Sequence, residues 1–279
     1  VSSMMDIFIA GRYGRRGQAL ERSCKKHFKD AVIHDLDIRK KSIDQECLKY
    51  NSLVIISVPP AEFISYYEQL IDSKYNGYLL IEKPALNSKE DIDSLEKLAI
   101  SNSKILIGYQ YLYMPLIKFI LERKDREYGA LRSINCVISH GLAFKEEFRK
   151  MWRSQDSSVK QIGVPHLVSL FLCLGQDMVS KKCLEHSVGS SGSKDSVSLQ
   201  FFDGSACFQG LYSWGAPYES QLYAIFENAI INANEKNAII QYPRDCFAKN
   251  GFYQRAKATR NNDLCFDDSS DGMFRYLKE

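Results

Sequence analysis

Histidine is scarce in this chain, with 5 among 279 residues, and none clusters with cysteine or acidic side chains. Structural zinc needs such clusters, so no metal site is expected. The 8 cysteines (Cys24, Cys47, Cys136, Cys173, Cys183, Cys207, Cys246 and Cys265) form no CxxC pair and no tight framework spacing. Several lie within apolar stretches, as Cys173 does in Leu170–Leu174. Free, mostly buried thiols in a reducing cytoplasm are the expectation. No apolar run approaches the roughly 18–20 residues that a membrane span needs, and the N-terminus lacks a signal-peptide pattern. Charge of one sign is missing too: 37 basic residues against 34 acidic ones leave a formal charge of +3. The basic clusters Arg15-Arg16, Lys25-Lys26, Arg39-Lys40-Lys41 and Lys181-Lys182 are short and read as solvated faces. Neither nucleic acid nor a membrane is expected as a partner.

What is present suits a soluble globular chain with a real core: 45% hydrophobic and 25% charged residues. Its length suggests two domains. Over the first part, short apolar runs alternate with helical patterns. Strands are expected at Met5–Ala10, Ala31–Asp35, Leu53–Val58, Tyr78–Glu82 and Lys104–Gly108. Their near-continuous apolarity predicts strands covered on both faces. Between them, Ala19, Leu20, Cys24 and Phe28 recur at helical spacing, as do Ile64, Tyr67 and Ile71, and then Ile92, Leu95 and Leu98. Ser88–Asp91 resembles a capping box. This order makes an α/β Rossmann domain, a doubly wound parallel sheet, over residues 1–112.

After Pro115 the rhythm changes. A helix (Leu116–Arg126) and a strand (Ser133–Ser139) precede a helix around Leu167–Leu174 and the alternating runs Ser196–Phe202, Ala206–Leu211 and Leu222–Phe226. Residues 113–279 read as an α+β domain with a mostly antiparallel open sheet.

Strand one runs into Gly11-Arg12-Tyr13-Gly14-Arg15-Arg16-Gly17 and then a helix. A dinucleotide fingerprint needs glycine where the backbone turns tightly and approaches pyrophosphate at a helix N-terminus. In GxGxxG spacing, Gly11 and Gly14 take the second and third glycine positions, and Ile9 stands at the first. A plain βα turn would use glycine as well. The second strand ends in His34-Asp35-Leu36-Asp37. A carboxylate there, Asp35 being the better placed, accepts hydrogen bonds from the adenosine ribose. Arg39 and Lys40 would instead meet a 2′-phosphate, so NAD and NADP both stay open. Strand four ends in Glu82-Lys83-Pro84, where open α/β sheets bind ligands. Lys83 reads either as a crevice lysine or as a surface lysine, with Glu82 a solvated charge beside it.

These elements, with Val58-Pro59-Pro60, Gly108–Pro115, Tyr128–Leu131 and Gly163–His166, occur in an order that resembles the glucose-fructose oxidoreductase/inositol dehydrogenase (Gfo/Idh/MocA) family. The resemblance implies an NAD(P)-dependent oxidoreductase acting on a hydroxyl carbon of a sugar or sugar-nucleotide. It implies Lys83 and His166 as catalytic residues, and Gly11, Arg12, Tyr13, Gly14, Asp35, Pro59, Glu82 and Lys83 as cofactor contacts. It also implies dimer formation through the open sheet, hence a homo-oligomer. Tyr111, Trp152 and Arg153 are the substrate candidates, the last two reading equally as a packing stack. His166 reads as a catalytic acid/base or as a histidine that merely opens an apolar helix. The chain departs from the family pattern at Phe63 and Pro165, where histidine is usual, and at Leu112, where arginine is frequent. Family members also carry an aspartate where Val168 or Ser169 stands here. The missing first glycine, the shifted histidine and the absent aspartate favour the rival class, a non-catalytic binding or regulatory protein that retains the fold.

Overall fold

Short runs of β-branched and aliphatic residues, spaced by amphipathic helices, assemble a five-stranded parallel sheet. Its strands are β1 (Asp6–Ala10), β2 (Val32–Asp35), β3 (Leu53–Ile56), β4 (Tyr78–Ile81) and β5 (Ile105–Ile107), in the order β2-β1-β3-β4-β5. The computed structural model describes residues 5–39, 52–85, 88–102, 104–150, 158–175, 180–187, 194–202, 204–242, 258–266 and 271–278. Every residue of β3 is buried, as a strand covered on both faces must be. Helix α1 (Arg15–His27) buries Gly17, Leu20 and Cys24, one apolar stripe at helical spacing. Helix α2 (Phe63–Asp72) buries Phe63, Tyr66, Tyr67 and Leu70, so its inner face is turned one residue from the Ile64–Ile71 stripe expected. Phe63 therefore packs in the core rather than facing a ligand. Helix α3 (Lys89–Ser101) opens on the expected capping box: Asp91 N–H donates to Ser88 Oγ, and Ser88 N–H to Asp91 Oδ2.

The second sheet has eight strands: β6 (Leu131–Ser139), β7 (Ser180–His186), β8 (Ser196–Phe202), β9 (Cys207–Ser213), β10 (Glu219–Phe226), β11 (Ile230–Asn234), β12 (Ala238–Gln241) and β13 (Ala258–Asn261). Their order is β13-β12-β11-β10-β6-β9-β8-β7, and every neighbouring pair is antiparallel except β6 with β9. Helix α4 (Pro115–Arg123) starts on a proline at its first turn. Helix α5 (Ser158–Leu174) lies against β8 and β9, and a Cβ on its Gly163 would stand 2.6 Å from the Tyr212 ring. The fold class is as the sequence implied.

The chain divides into two compact units, Val1–Tyr109 with Ser270–Glu279, and Gln110–Ser269. This corrects the expected boundaries of 1–112 and 113–279 at both ends. Helix α6 (Asp271–Lys278) packs on α1, with Phe274 edge-on to Phe28 at 6.4 Å, so the last helix belongs to the first unit. Burial of Met273 and Phe274 is the physical reason. Among the described residues no helix is long and apolar enough to cross a membrane, and no group of His, Cys, Asp and Glu is arranged to hold a metal ion.

Candidate functional site

The C-terminal edge of the parallel sheet gathers the sequence motifs of the first unit. The chain runs from β1 to β2 on one side and then to β3 on the other, so the topological switch falls between β1 and β3. Ligands of open α/β sheets bind outside the strand ends at such a point. The turn Gly11–Gly14 lies there.

Gly11 has φ +74°, and a Cβ on it would stand 2.3 Å from the Ser57 carbonyl oxygen. Glycine is required here by the turn and by the neighbouring strand end. Gly14 N–H donates to the Gly11 carbonyl at 3.0 Å, and Gly14 then serves as the N-cap of α1. A Cβ on Gly14 would meet only that carbonyl, at 3.2 Å, and its open side suits an approaching ligand. Gly17, in the first turn of the helix, is a third glycine that pattern reasoning missed. Its Cβ would stand 2.2 Å from the Gly11 carbonyl oxygen. The glycines thus divide the work: Gly11 makes the turn, Gly17 seats helix on turn, and Gly14 leaves room above. The equal spacing of Gly11, Gly14 and Gly17 was the available signal.

Helix α1 begins without a side-chain cap and without an acidic residue in its first turn; Arg15 and Arg16 stand there instead. Uncapped N–H groups and basic side chains at a helix N-terminus favour an anion.

Glu82 is not a solvated charge. Its side chain is 6% exposed, and Arg16 Nη2 donates to Oε1 at 2.7 Å. Gly108, past the end of β5, permits this: a Cβ there would stand 3.2 Å from the same carboxylate. The carboxylate is thus committed to the protein. Lys83 follows it just beyond β4, half-buried, with a cis peptide to Pro84. The segment is pinned further along by Tyr67, whose hydroxyl donates to the Ala85 carbonyl at 2.7 Å.

At the β2 end, Asp35 is the last strand residue and is half-buried. Arg12 grips Glu21 with both Nε and Nη2, at 2.9 and 2.8 Å, and donates Nη1 to the Ile33 carbonyl. Hydrogen bonds from Arg12 and Lys25 hold the Glu21 carboxyl down at about 2. Arg39 pairs with both oxygens of Asp37. Nothing in the sequence announces the Arg12–Glu21 pairing, because it joins a turn to a helix face nine positions on. Lys40 lies outside the described residues. Tyr13 is exposed and Pro59 caps a short 3-10 turn after β3; both stand at this same edge.

In the second unit the residues read as substrate or acid/base candidates behave differently. His166 is corrected from the start of an apolar helix to the interior of α5, where it is 2% exposed. Tyr111 stands edge-on to it at 4.9 Å between ring centres, and Tyr212 stacks on it at 5.9 Å. Tyr111 is itself buried and stacked on Phe266. Its burial among aromatic rings favours a packing role over the substrate contact expected. Trp152 and Arg153 lie outside the described residues.

No protein-family model matches the sequence, and no curated protein matches it. Solved structures do. UDP-N-acetylglucosamine 3-dehydrogenase GnnA from Acidithiobacillus ferrooxidans superposes with TM-score 0.73 at 15% identity, covering 99% of this chain and 87% of that one. Levoglucosan dehydrogenase in complex with NADH and levoglucosan gives TM-score 0.73 at 11% identity, covering 98% and 88%. An NAD-binding oxidoreductase from Klebsiella pneumoniae gives TM-score 0.69 at 12% identity, covering 93% and 80%. This chain shares the fold of these oxidoreductases. In that fold, the glycine turn, Asp35 and Lys83 lie at the C-terminal ends of β1, β2 and β4 of the parallel sheet.

Proposed function

We propose that this chain is an NAD(P)-dependent oxidoreductase that moves a hydride to or from a hydroxyl carbon of a sugar or sugar-nucleotide. The observation that carries the proposal is the placement of the uncapped, glycine-seated start of α1 at the β1/β3 switch, with Lys83 two strands along the same edge. The residues present fit a dinucleotide. Gly14 leaves open space at the N-terminus of α1, where pyrophosphate would be held, and Asp35 offers a carboxylate to a ribose. Arg12, Tyr13 and Pro59 stand at the same sheet edge, whereas Glu82 acts on it through Arg16. The cofactor, when bound, supplies the hydride chemistry. The protein's share is orientation and the hydroxyl proton, and for that proton Lys83 is the proposed acid/base. His166, enclosed by aromatic rings, reads better as a packing residue.

The choice of a sugar substrate is supported by the neighbours, whose names specify levoglucosan and UDP-N-acetylglucosamine. A second copy of the chain is the proposed occupant of the outer sheet face, where Leu184 and Phe202 are exposed. A reducing cytoplasm accords with the free Cys24, Cys136, Cys173, Cys183, Cys207 and Cys265.

The test combines coenzyme titration with turnover on sugars and nucleotide sugars. Binding of NAD(H) or NADP(H) and reduction of the coenzyme by at least one such substrate are expected. Lys83→Met should then lower kcat by about 10²–10⁴ while coenzyme affinity and melting temperature change little. Coenzyme binding without turnover on any sugar would move the chain to the non-catalytic class, and absence of coenzyme binding would end the proposal.

A further inference from the structure

Two arginines flank the end of β2, Arg12 within reach of the Asp35 charge and Arg39 four positions past it, and each guanidinium is already engaged. Arg12 gives Nε and Nη2 to the two oxygens of Glu21, and Nη1 reaches the Ile33 carbonyl at 3.2 Å. Its fork is filled two residues short of Asp35 along β2. Asp35 acts on Arg12 through its charge, but the hydrogen bonds of that guanidinium go to Glu21 and Ile33. Beyond the strand, Arg39 gives Nε and Nη2 to the two oxygens of Asp37, at 2.8 and 3.2 Å, and its own backbone N–H also donates to Asp37. Dinucleotide folds take the ribose hydroxyls of NAD on a carboxylate and the 2′-phosphate of NADP on an arginine close by. Both kinds of group are present here, so their pairing decides which one a coenzyme meets.

We propose that the chain selects NAD over NADP by withholding two arginines, Glu21 holding Arg12 and Asp37 holding Arg39, so that among the described residues Asp35, rather than either guanidinium, meets the ribose. This rests on the nicotinamide-cofactor reading above and deepens it. The Arg12–Glu21 pair is the stronger of the two locks, with side chains 22% and 16% exposed and Lys25 bonded to the same carboxylate at 2.7 Å. The Arg39–Asp37 pair is the weaker, because Arg39 is 75% exposed and such pairs exchange readily with solvent.

The experiment titrates the full chain with NADH and with NADPH, following nucleotide fluorescence, so that it needs no turnover. Wild type should bind NADH more tightly, by roughly 10-fold or more, since one charge-assisted contact to a phosphate is of that size. Glu21→Gln frees Arg12 and should raise NADPH affinity relative to NADH roughly 10-fold. Asp37→Asn should act in the same direction but more weakly. Arg12→Met combined with Glu21→Gln removes lock and arginine together and should restore the wild-type ratio. Should Glu21→Gln fail to fold, Glu21→Asp keeps the charge, shortens the reach and should shift the ratio part of the way. A wild type that prefers NADPH overturns the proposal. So does an unchanged ratio in Glu21→Gln, or a gain that survives removal of Arg12. Failure to bind either coenzyme is distinct from these outcomes and overturns the cofactor reading itself.

Discussion

Arg16 in the first turn of α1 donates to the buried carboxylate of Glu82, 66 positions away, at 2.7 Å. The contact ties the glycine turn to the strand end that carries Lys83. A basic side chain in the first turn opposes the helix dipole, and Glu82 supplies the compensating charge.

The two partners should not be equivalent. Arg16→Met leaves an ionised carboxylate buried and uncompensated, whereas Glu82→Gln leaves a neutral acceptor. With Arg16 a third exposed, breaking the pair should cost about 1–3 kcal/mol, toward the lower end for Glu82→Gln. Urea unfolding of the two variants measures this. Equal midpoints for Arg16→Met and wild type would show that the pair contributes nothing.

Gly17 and Gly14 should separate folding from binding. An alanine methyl at Gly17 would stand 2.2 Å from a backbone oxygen, which cannot yield as a side-chain tip does. Gly17→Ala should destabilise by about 1–3 kcal/mol or more. Gly14→Val points its added atoms at the open side of the turn, so it should unfold close to wild type while losing coenzyme affinity. Thermal melts beside coenzyme titrations check both, and a Gly14→Val variant that binds coenzyme normally would remove that glycine from the site.

The sequence was read correctly where one physical requirement dominated. Buried parallel strands must be apolar throughout, and all five were found within one or two residues at each end. A turn needing positive φ shows as Gly11. Other features depend on partners distant in sequence. The Ser158–His166 half of α5 was missed because Gly163 and Pro165 look like helix breakers, yet Gly163 is what lets the helix settle on Tyr212. Strand β7, SKKCLEH, carries too much charge to show a strand pattern; its pairing with β8 defines it. The strands β11 and β12 are short, and although Asn232 and Asn234 alternate with buried Ile231 and Ala233, asparagine is a residue that strands seldom carry. At the candidate site, the places of Gly11, Gly14, Asp35 and Lys83 at strand ends were legible from the sequence, whereas the role of Gly17 was not. The partners of Glu82 and Arg12 could not, because an ion pair across 66 positions leaves no local signature.

Glu21 makes the first unit sensitive to acid. Its folded carboxyl is held at about 2, against an ordinary value of 4.5, chiefly by the hydrogen bond from Arg12 and then by Lys25. A depressed carboxyl contributes stability that is full above about pH 4.5 and is lost as pH falls toward 2. Glu21→Gln should therefore be less stable than wild type at neutral pH, and the gap should close between pH 4.5 and 2. Urea midpoints at pH 7, 4 and 2.5 give the comparison. A gap of constant size down to pH 2.5 would mean that Glu21 gains nothing from its partners.

His166 offers the sharpest separation of packing from chemistry. Its ring lies between Tyr111 and Tyr212, 2% exposed, in the interior of α5. If packing is its role, truncation should open a cavity: His166→Ala should lose about 2–4 kcal/mol, in the range of other buried large-to-small changes. His166→Phe refills most of that volume with a ring that can still meet both tyrosines, and it should recover most of the loss. Phenylalanine cannot carry a proton. Turnover per folded molecule in His166→Phe should therefore stay within about threefold of wild type, whereas loss of a general acid/base typically costs about 10²–10⁴. Circular dichroism melts establish the folded fraction, and steady-state rates normalised to it give the result. A well-folded His166→Phe with a hundredfold lower kcat would return the histidine to the proton relay, and the aromatic enclosure would then be the means of orienting its ring.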